Sequence, residues 1–152
     1  MRRTLFLTVA LFSFVFATHA QTPAPAQALK KAILKNDAAA AEALLAAGTN
    51  PNAVIEVVPG FTTTYLITAA TNNSLPLVQL LLRNKAQVNQ PDAFKGTALM
   101  AAVGKGNKAL VELLLSSGAD ARAKDDDGKD ALALAKEGGN KEIITLLELK
   151  LK

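Results

Sequence analysis

Short apolar segments separated by polar turns recur along most of the chain at a nearly constant interval. A step of 33 residues forward from Leu99 leads to Leu132, and an equal step back leads to Leu66. Ala102 has counterparts at the same distances, and a further copy lies 37 residues earlier, near Leu29. Agreement at so many positions indicates four copies of one structural unit, with Leu66, Leu99 and Leu132 in a shared interior row.

Each copy contains two apolar segments with the spacing of short helices. In the third copy, Leu99 and Ala102 lie three residues apart on one helical face, and Leu110, Leu113 and Leu114 mark the buried face of a second helix. Between the two segments stands Asn or Gly, followed by a residue that favours a helix start: Asn36-Asp37, Asn73-Ser74, Gly106-Asn107 and Gly139-Asn140. We therefore expect a left-handed turn and then an N-cap at each break.

The end of the second helix has its own signal. Gly48 and Gly118 follow the leucines of the first and third copies, whereas Lys85 occupies the same place in the second copy. Glycine reaches the left-handed conformation at no steric cost. If Lys85 adopts that conformation, we expect it to cost about 1 kcal/mol relative to glycine.

The turn between the first two copies is longer than the others. Eleven residues separate Asn52 from Thr64, whereas seven occupy the equivalent stretches elsewhere. The extra residues include Val57, Val58 and Phe61 around a Pro-Gly turn, a composition that favours a β-hairpin. Two interpretations remain open. These residues either fold back to close the core of the first copy, or they form an exposed apolar finger that marks a contact surface.

The repeat of 33 residues, with a turn and two helices, resembles that of the ankyrin-repeat family. The family signature Thr-Pro-Leu-His-x-Ala corresponds to Thr-Ala-Leu-Met-Ala-Ala at residues 97–102, and the family's helix ending corresponds to Leu-Leu-Ser-Ser-Gly-Ala-Asp at 114–120. The resemblance covers about residues 27–150. It implies an all-α ankyrin-repeat solenoid over 28–152, with about four helix-turn-helix repeats at about 27–59, 60–92, 93–125 and 126–152.

The first twenty residues have the pattern of an export signal. Two arginines precede an apolar run over residues 5–17, and small residues stand at 18 and 20, the positions that a signal peptidase reads. As a helix this run would span about 20 Å, less than the roughly 30 Å of a bilayer core, so a cleaved signal is favoured over a membrane anchor. We expect cleavage after Ala20, export to a bacterial periplasm and no stable membrane anchor afterwards.

The segment that follows the predicted cleavage point contains two prolines. Residues 21–27 read QTPAPAQ, and Pro23 and Pro25 oppose a helix at that point. We therefore predict an extended spacer over 21–27 that precedes the repeats.

The composition provides few of the side chains that commonly act in catalysis. The chain has no cysteine, and its one histidine, His19, lies inside the predicted signal. Loss of Arg2 and Arg3 with that signal would lower the formal net charge from +4 to +2, which without a basic run does not predict nucleic-acid binding. We expect no cofactor, no metal and no nucleic-acid partner.

The strongest candidates for other chemistry are the three aspartates at 125–127, which Gly128 follows. A calcium loop is one interpretation, but the EF-hand alignment places Ala123 and Leu134 where acidic ligands are required. An ankyrin turn is the other, and it explains the spacing of Ala123, Asp125 and Gly128 directly. A hydrolase that uses residues 125–127 is the enzymatic alternative, and we expect no enzyme.

The resemblance implies a function and a binding surface. Family members bind proteins through their turn tips and the concave face of the first helices, so we expect a monomeric, non-enzymatic protein–protein interaction module. Two roles remain open: an accessory factor of a periplasmic stress enzyme, or an inhibitor or immunity protein that neutralises a toxin. The expected contacts on the tips and the concave face are Phe94, Asp126, Asp127, Lys129 and Lys136, to which the apolar insertion adds Val57, Val58 and Phe61.

Overall fold

The structure, a computed structural model, describes residues 24–152, so the predicted export signal and the first residues of the predicted spacer lie outside it. The described part contains eight helices and two strands. These are α1 (Pro25–Leu34), α2 (Ala38–Ala46), β1 (Val54–Val58), β2 (Phe61–Thr64), α3 (Tyr65–Thr71), α4 (Leu75–Arg83), α5 (Ala98–Gly104), α6 (Lys108–Ser116), α7 (Ala131–Gly138) and α8 (Lys141–Leu151). Over residues 24–152, no helix combines the length and the apolar character that a membrane span needs.

The predicted extended spacer is wrong for its last three residues. α1 begins at Pro25, and the carbonyl of Ala24 accepts the first hydrogen bonds of the helix, from the N–H groups of Gln27 (2.7 Å) and Ala28 (3.1 Å). Proline is tolerated at the first helical position because the N–H that it lacks would have no partner inside the helix. Pro25 therefore starts the helix that it was expected to oppose.

The breaks between paired helices have the predicted geometry. Asn36, Asn73, Gly106 and Gly139 all have a positive φ, between 57° and 68°. The next residue in each case accepts a hydrogen bond from the backbone N–H three positions on, with distances of 2.9 Å at Asp37, 3.5 Å at Ser74, 3.1 Å at Asn107 and 3.2 Å at Asn140. Lys85 also has the predicted left-handed conformation, with a φ of 67°.

The helices stack in two rows. The first helices of the pairs contact one another in the order α1, α3, α5, α7, and the second helices follow as α2, α4, α6, α8. Leu66 and Leu99 are buried in one continuous core, and Leu132 packs against its end half-buried. Alanine at 32, 69, 102 and 135 is buried in every pair, as expected where helices approach closely.

Two asparagines link successive pairs beyond the ends of the second helices. The side-chain oxygen of Asn52 accepts from the N–H of Gln87 at 2.7 Å, while its amide donates to the carbonyl of Lys85 at 3.1 Å. Asn89, at the equivalent position of the next copy, makes the same two bonds, with the N–H of Asp120 (2.8 Å) and the carbonyl of Gly118 (3.1 Å). These bonds hold each turn in a fixed position relative to the next.

Candidate functional site

The insertion between the first two helix pairs is a β-hairpin. β1 and β2 pair antiparallel around Pro59-Gly60, with Ile55 opposite Thr63 and Val58 opposite Phe61. Gly60 has a φ of 82°, and its N–H donates to the Glu56 carboxylate at 2.8 Å, which closes the turn. The β-branched residues on each side favour extended backbone, so the turn and strands agree with the predicted hairpin.

Each of the two open interpretations describes some of the residues of this hairpin. Ile55 and Thr63 point into the protein and are only 6% and 3% exposed. Val54 and Val58 are 59% and 56% exposed, and Val57 is 38% exposed. The hairpin therefore contributes Ile55 and Thr63 to the core beside the first pair, while its three valines are exposed to solvent.

An aromatic pair joins the hairpin to the next turn. The rings of Phe61 and Phe94 stack with centroids 5.4 Å apart and an interplanar angle of 27°. The N–H of Ala93 donates to the carbonyl of Thr62 at 2.9 Å, which fixes the two segments side by side. Phe94 nevertheless remains 61% exposed. Together with Val58, the cross-strand neighbour of Phe61, the two rings form a patch that we call the aromatic tip.

The turn that carries Phe94 is held rigidly by Asp92. Its carboxylate accepts from the N–H groups of Phe94 at 2.9 Å and Gly96 at 2.8 Å. Lys95 between them adopts a left-handed conformation with a φ of 58°. The exposed ring of Phe94 thus stands on a backbone that has little freedom to move.

The aspartates at 125–127 form the following turn. The Asp125 carboxylate accepts from the N–H of Lys129 at 2.9 Å, and Gly128 takes a φ of 76°. A turn at this place agrees with the ankyrin-turn interpretation, and the hydrogen bond uses one of the two Asp125 carboxylate oxygens that a calcium loop would need. Across the described residues, no group of three or more acidic, His or Cys side chains is arranged to hold a metal ion.

This turn continues the aromatic tip. The N–H of Asp126 donates to the carbonyl of Phe94 at 3.0 Å, and the Asp126 carboxylate lies 2.9 Å from the Lys95 ammonium. That hydrogen bond and the charge of Asp126 raise the pKa of Lys95 above its usual value. A pair of opposite charges therefore borders the exposed aromatic rings.

The structure brings together only some of the predicted contact residues. Val58, Phe61, Phe94 and Asp126 are neighbours, and Val57 and Asp127 are exposed on the same row of tips. The two lysines instead reach neighbouring helices: Lys129 pairs with Glu137 of α7 at 2.8 Å and Lys136 with Glu148 of α8 at 3.7 Å. The hydrogen bond and the charge of Glu137 raise the pKa of Lys129.

The first helices of the second and third pairs, α3 and α5, offer little surface. Residues 65–70 of α3 are all buried, and only Thr71 of that helix is exposed. In α5 the exposed position is Gly104, which has no side chain. Side chains available to a partner are therefore concentrated at the tips rather than along α3 and α5.

Sequence reasoning missed the pairings that organise these tips. The left-handed conformation of Lys95 could have been predicted from the repeat, because Lys95 stands 33 residues before Gly128 and so at the equivalent position of its turn. The bonds from Ala93 to Thr62 and from Lys95 to Asp126 join segments that lie about thirty residues apart, and no local pattern marks them.

Tyr65 anchors the base of the hairpin to α1. Its side chain is fully buried, and its hydroxyl donates to the carbonyl of Ala26 at 2.8 Å. Burial raises the pKa of the Tyr65 phenol. The residue after β2 thus fixes the position of the hairpin relative to the first helix.

Comparison with known protein families gives a match over the helix pairs. The family model described as ankyrin repeats (3 copies) matches residues 29–125 and, in a second placement, residues 66–150. The two placements together extend over most of the chain. Among curated proteins, none matches the sequence.

Proposed function

The chain belongs to the ankyrin-repeat family, whose members generally bind other proteins, and we propose that it is a non-enzymatic module that binds a partner protein through its turn tips. We count its four helix pairs as four repeats, at about 27–59, 60–92, 93–125 and 126–152, with the β1–β2 hairpin as an insertion between the first and second.

The aromatic tip is the observation that carries this proposal. Phe94 is 61% exposed although it stacks on Phe61, and Val58 beside them is 56% exposed. A cluster of exposed apolar side chains on a rigid turn is typical of a contact surface. Aromatic residues also supply much of the binding energy at protein interfaces, because they bury a large area with few rotatable bonds.

The charges beside the tip add orientation to the contact. Asp126 and Lys95 border the rings, and Asp127 is exposed next to them. Exposed charges at an interface rim mainly affect association rate and specificity rather than affinity. We propose that Phe61 and Phe94 anchor the partner, while the charges of Asp126 and Asp127 determine the orientation in which it binds.

We further propose that binding takes place in a bacterial periplasm. The support is the export pattern of residues 1–20, with its short apolar run and small residues before the predicted cleavage point. Fractionation of cells that express the full chain, with N-terminal sequencing of the product, tests this. A periplasmic protein that begins at Gln21 is expected, and an uncleaved chain in the cytoplasm would contradict the proposal.

A paired capture experiment tests the binding surface. The protein without residues 1–20 and its Phe94→Ala variant are immobilised and exposed to the same periplasmic extract. Leu149→Ala is the matched control, because Leu149 is equally exposed, at 63%, but lies on α8 away from the tips. We expect one protein to be recovered by the wild type and the control but not by Phe94→Ala. Equal recovery by all three would refute the tip as the binding surface.

The same experiment separates the two roles that remain open. If the recovered protein is an enzyme, its activity is measured with and without the ankyrin protein. Increased activity indicates an accessory factor, and decreased activity indicates an inhibitor or immunity protein.

A further inference from the structure

The outer edge of β1 ends a row of hydrogen bonds that runs along the tips. Asp126 donates its N–H to the carbonyl of Phe94, and Ala93 donates its N–H to the carbonyl of Thr62 on β2. Each tip is therefore bonded to the tip before it. The hairpin is the first in this row, and within residues 24–152 its sheet has only two strands. The outer edge of β1 is left without a neighbouring strand.

The register shows which backbone groups lie on that edge. Glu56 is opposite Thr62, whose carbonyl points away from β1 to the N–H of Ala93. The carbonyl of Glu56 likewise points away from β2, because it accepts a hydrogen bond from the Lys30 ammonium. Glu56 and Thr62 are thus a non-hydrogen-bonded pair of the antiparallel ladder. Hydrogen-bonded and non-hydrogen-bonded pairs alternate along such a ladder, so Val54 and Thr64, two residues away, are also a non-hydrogen-bonded pair. The N–H and C=O groups of Val54 and Glu56 face outward.

A groove of about 250 Å³ lies between this edge and the start of α1. Val54 and Glu56 line one side of it, Ala26 and Lys30 line the other, and Tyr65 is also in its lining. Extended strands pair at a spacing of about 4.8 Å, so a single added strand is the natural occupant of a space beside a strand edge. Val54 supplies an exposed apolar contact for its side chains.

The groove also has an unsatisfied positive charge. Lys30 is half-buried there, and its ammonium has three N–H donors, of which the Glu56 carbonyl uses one. Among the described residues, no carboxylate lies within 4.0 Å of Lys30, Lys31 or Lys35, all of which are on α1. Glu56 also lines the groove, but its carboxylate accepts from the N–H of Gly60 in the hairpin turn, so the three lysines of α1 favour a negatively charged partner at this end.

We infer that an extended acidic segment of the partner protein adds to β1 as a third strand, with Lys30 binding one of its carboxylates; this inference rests on the proposed protein-binding function. Main-chain bonds to the N–H and C=O groups of Val54 and to the N–H of Glu56 hold the strand, and Lys30, which keeps its bond to the Glu56 carbonyl, selects for acidic side chains by its charge. A second copy of this chain is disfavoured, because pairing two β1 edges would bring the lysines of both α1 helices together.

A labelled peptide tests the charge selection. Fluorescein-labelled Val-Glu-Val-Glu-Val is titrated with the full chain, and Val-Lys-Val-Lys-Val serves as the charge-reversed probe. We expect the acidic peptide to bind, and Lys30→Glu to weaken it at least about tenfold while favouring the basic peptide. Lys105→Glu, an exposed lysine in the α5–α6 turn, makes the same change in net charge and should leave both affinities unchanged. Lys30→Gln, checked for folding by circular dichroism, is the milder second variant.

Amide hydrogen exchange tests the position of the added strand. On binding of the acidic peptide, exchange at the N–H groups of Val54 and Glu56 should slow, and a peptide with N-methylated backbone should neither bind nor protect them. No binding of the acidic peptide, equal loss in Lys30→Glu and Lys105→Glu, or protection only around Phe94 would each overturn the inference. A dimer of the unliganded chain that protects Val54 and Glu56 would overturn it in favour of a second copy.

The outcome is separable from that of the proposed function. Strand addition should survive Phe94→Ala, since that ring does not line the groove. Peptide binding that fails while Phe94-dependent capture succeeds would remove the strand-addition inference alone. Capture that is independent of Phe94, with peptide binding intact, would remove the aromatic tip alone.

Discussion

Leu114→Ala is expected to lower the free energy of unfolding by about 2–5 kcal/mol. Leu114 lies in α6 and is fully buried, and α6 contacts α4, α5 and α8. The substitution deletes three carbons, which at about 0.8 kcal/mol each gives roughly 2.4 kcal/mol of lost transfer energy. The cavity that remains adds to this, because helices fixed by neighbours on both sides collapse only in part.

Thermal unfolding followed by circular dichroism measures the effect. For a domain of this size, 1 kcal/mol corresponds to about 3–5 °C, so Tm should fall by roughly 6–25 °C. The control is Leu149→Ala, the same substitution at a side chain that is 63% exposed, and it should change stability by less than about 0.5 kcal/mol. Equal shifts in the two variants would refute the placement of Leu114 in the core.

The position of Leu114 in the stack makes the test sharper. Leu147 on α8 is equally buried, but α7 and α8 have neighbouring helices on one side only. In a repeat stack, stability is approximately a sum of terms for each unit and each interface. Leu147→Ala should therefore let the α7–α8 pair unfold before the other pairs, which broadens the thermal unfolding transition. Leu114→Ala should instead lower the Tm of the transition as a whole. The same transition shape for both would contradict nearest-neighbour coupling.

Three further predictions concern the backbone, the links between copies and pH. Lys85→Gly should stabilise the protein by about 1 kcal/mol in urea unfolding, since Lys85 has a φ of 67°; Lys105→Gly, at a φ of −81°, should not stabilise it. Asn52→Ala should cost about 1–3 kcal/mol, because two backbone groups of the next copy lose their partner, whereas Gln79→Ala on an exposed helix face should have little effect. Burial raises the pKa of Tyr65, so its contribution is complete below about pH 10 and is lost as pH rises through the higher folded-state pKa. The free energy of unfolding should fall more steeply above that pH in the wild type than in Tyr65→Phe, and parallel pH profiles would refute the assignment.

The helix pairs could be predicted because their signals are local. A left-handed residue and an N-cap within two positions, as at Asn36-Asp37, determine where one helix ends and the next begins. The same physics explains Lys85, whose conformation follows from its place in the repeat rather than from its own preference. Recurrence of these signals at a fixed interval makes each one far more specific than it would be alone.

The surface was harder to predict because its contacts are distant in sequence. Val57 and Ile55 are both apolar and stand two positions apart, so alternation alone would put them on one face. The irregular register between Glu56 and Val58 separates them, and only Ile55 is buried. Lys129 and Lys136 were predicted as partner contacts by their position in the repeat, yet their ammonium groups pair with Glu137 and Glu148. The start of α1 at Pro25 was missed because a proline both begins helices and interrupts them.

The exposure of Phe94 has a consequence for how the tip can bind. The backbone of Phe94 is bonded on both sides, through its N–H to the Asp92 carboxylate and through its carbonyl to the N–H of Asp126. The bonded backbone of the two turns therefore holds the Phe94 ring in place, although the ring is exposed and adds little to the core. Because that ordering is completed during folding, a partner that covers the ring loses little conformational entropy on binding. A side chain with this combination of fixed backbone and exposed ring should matter more for affinity than for stability.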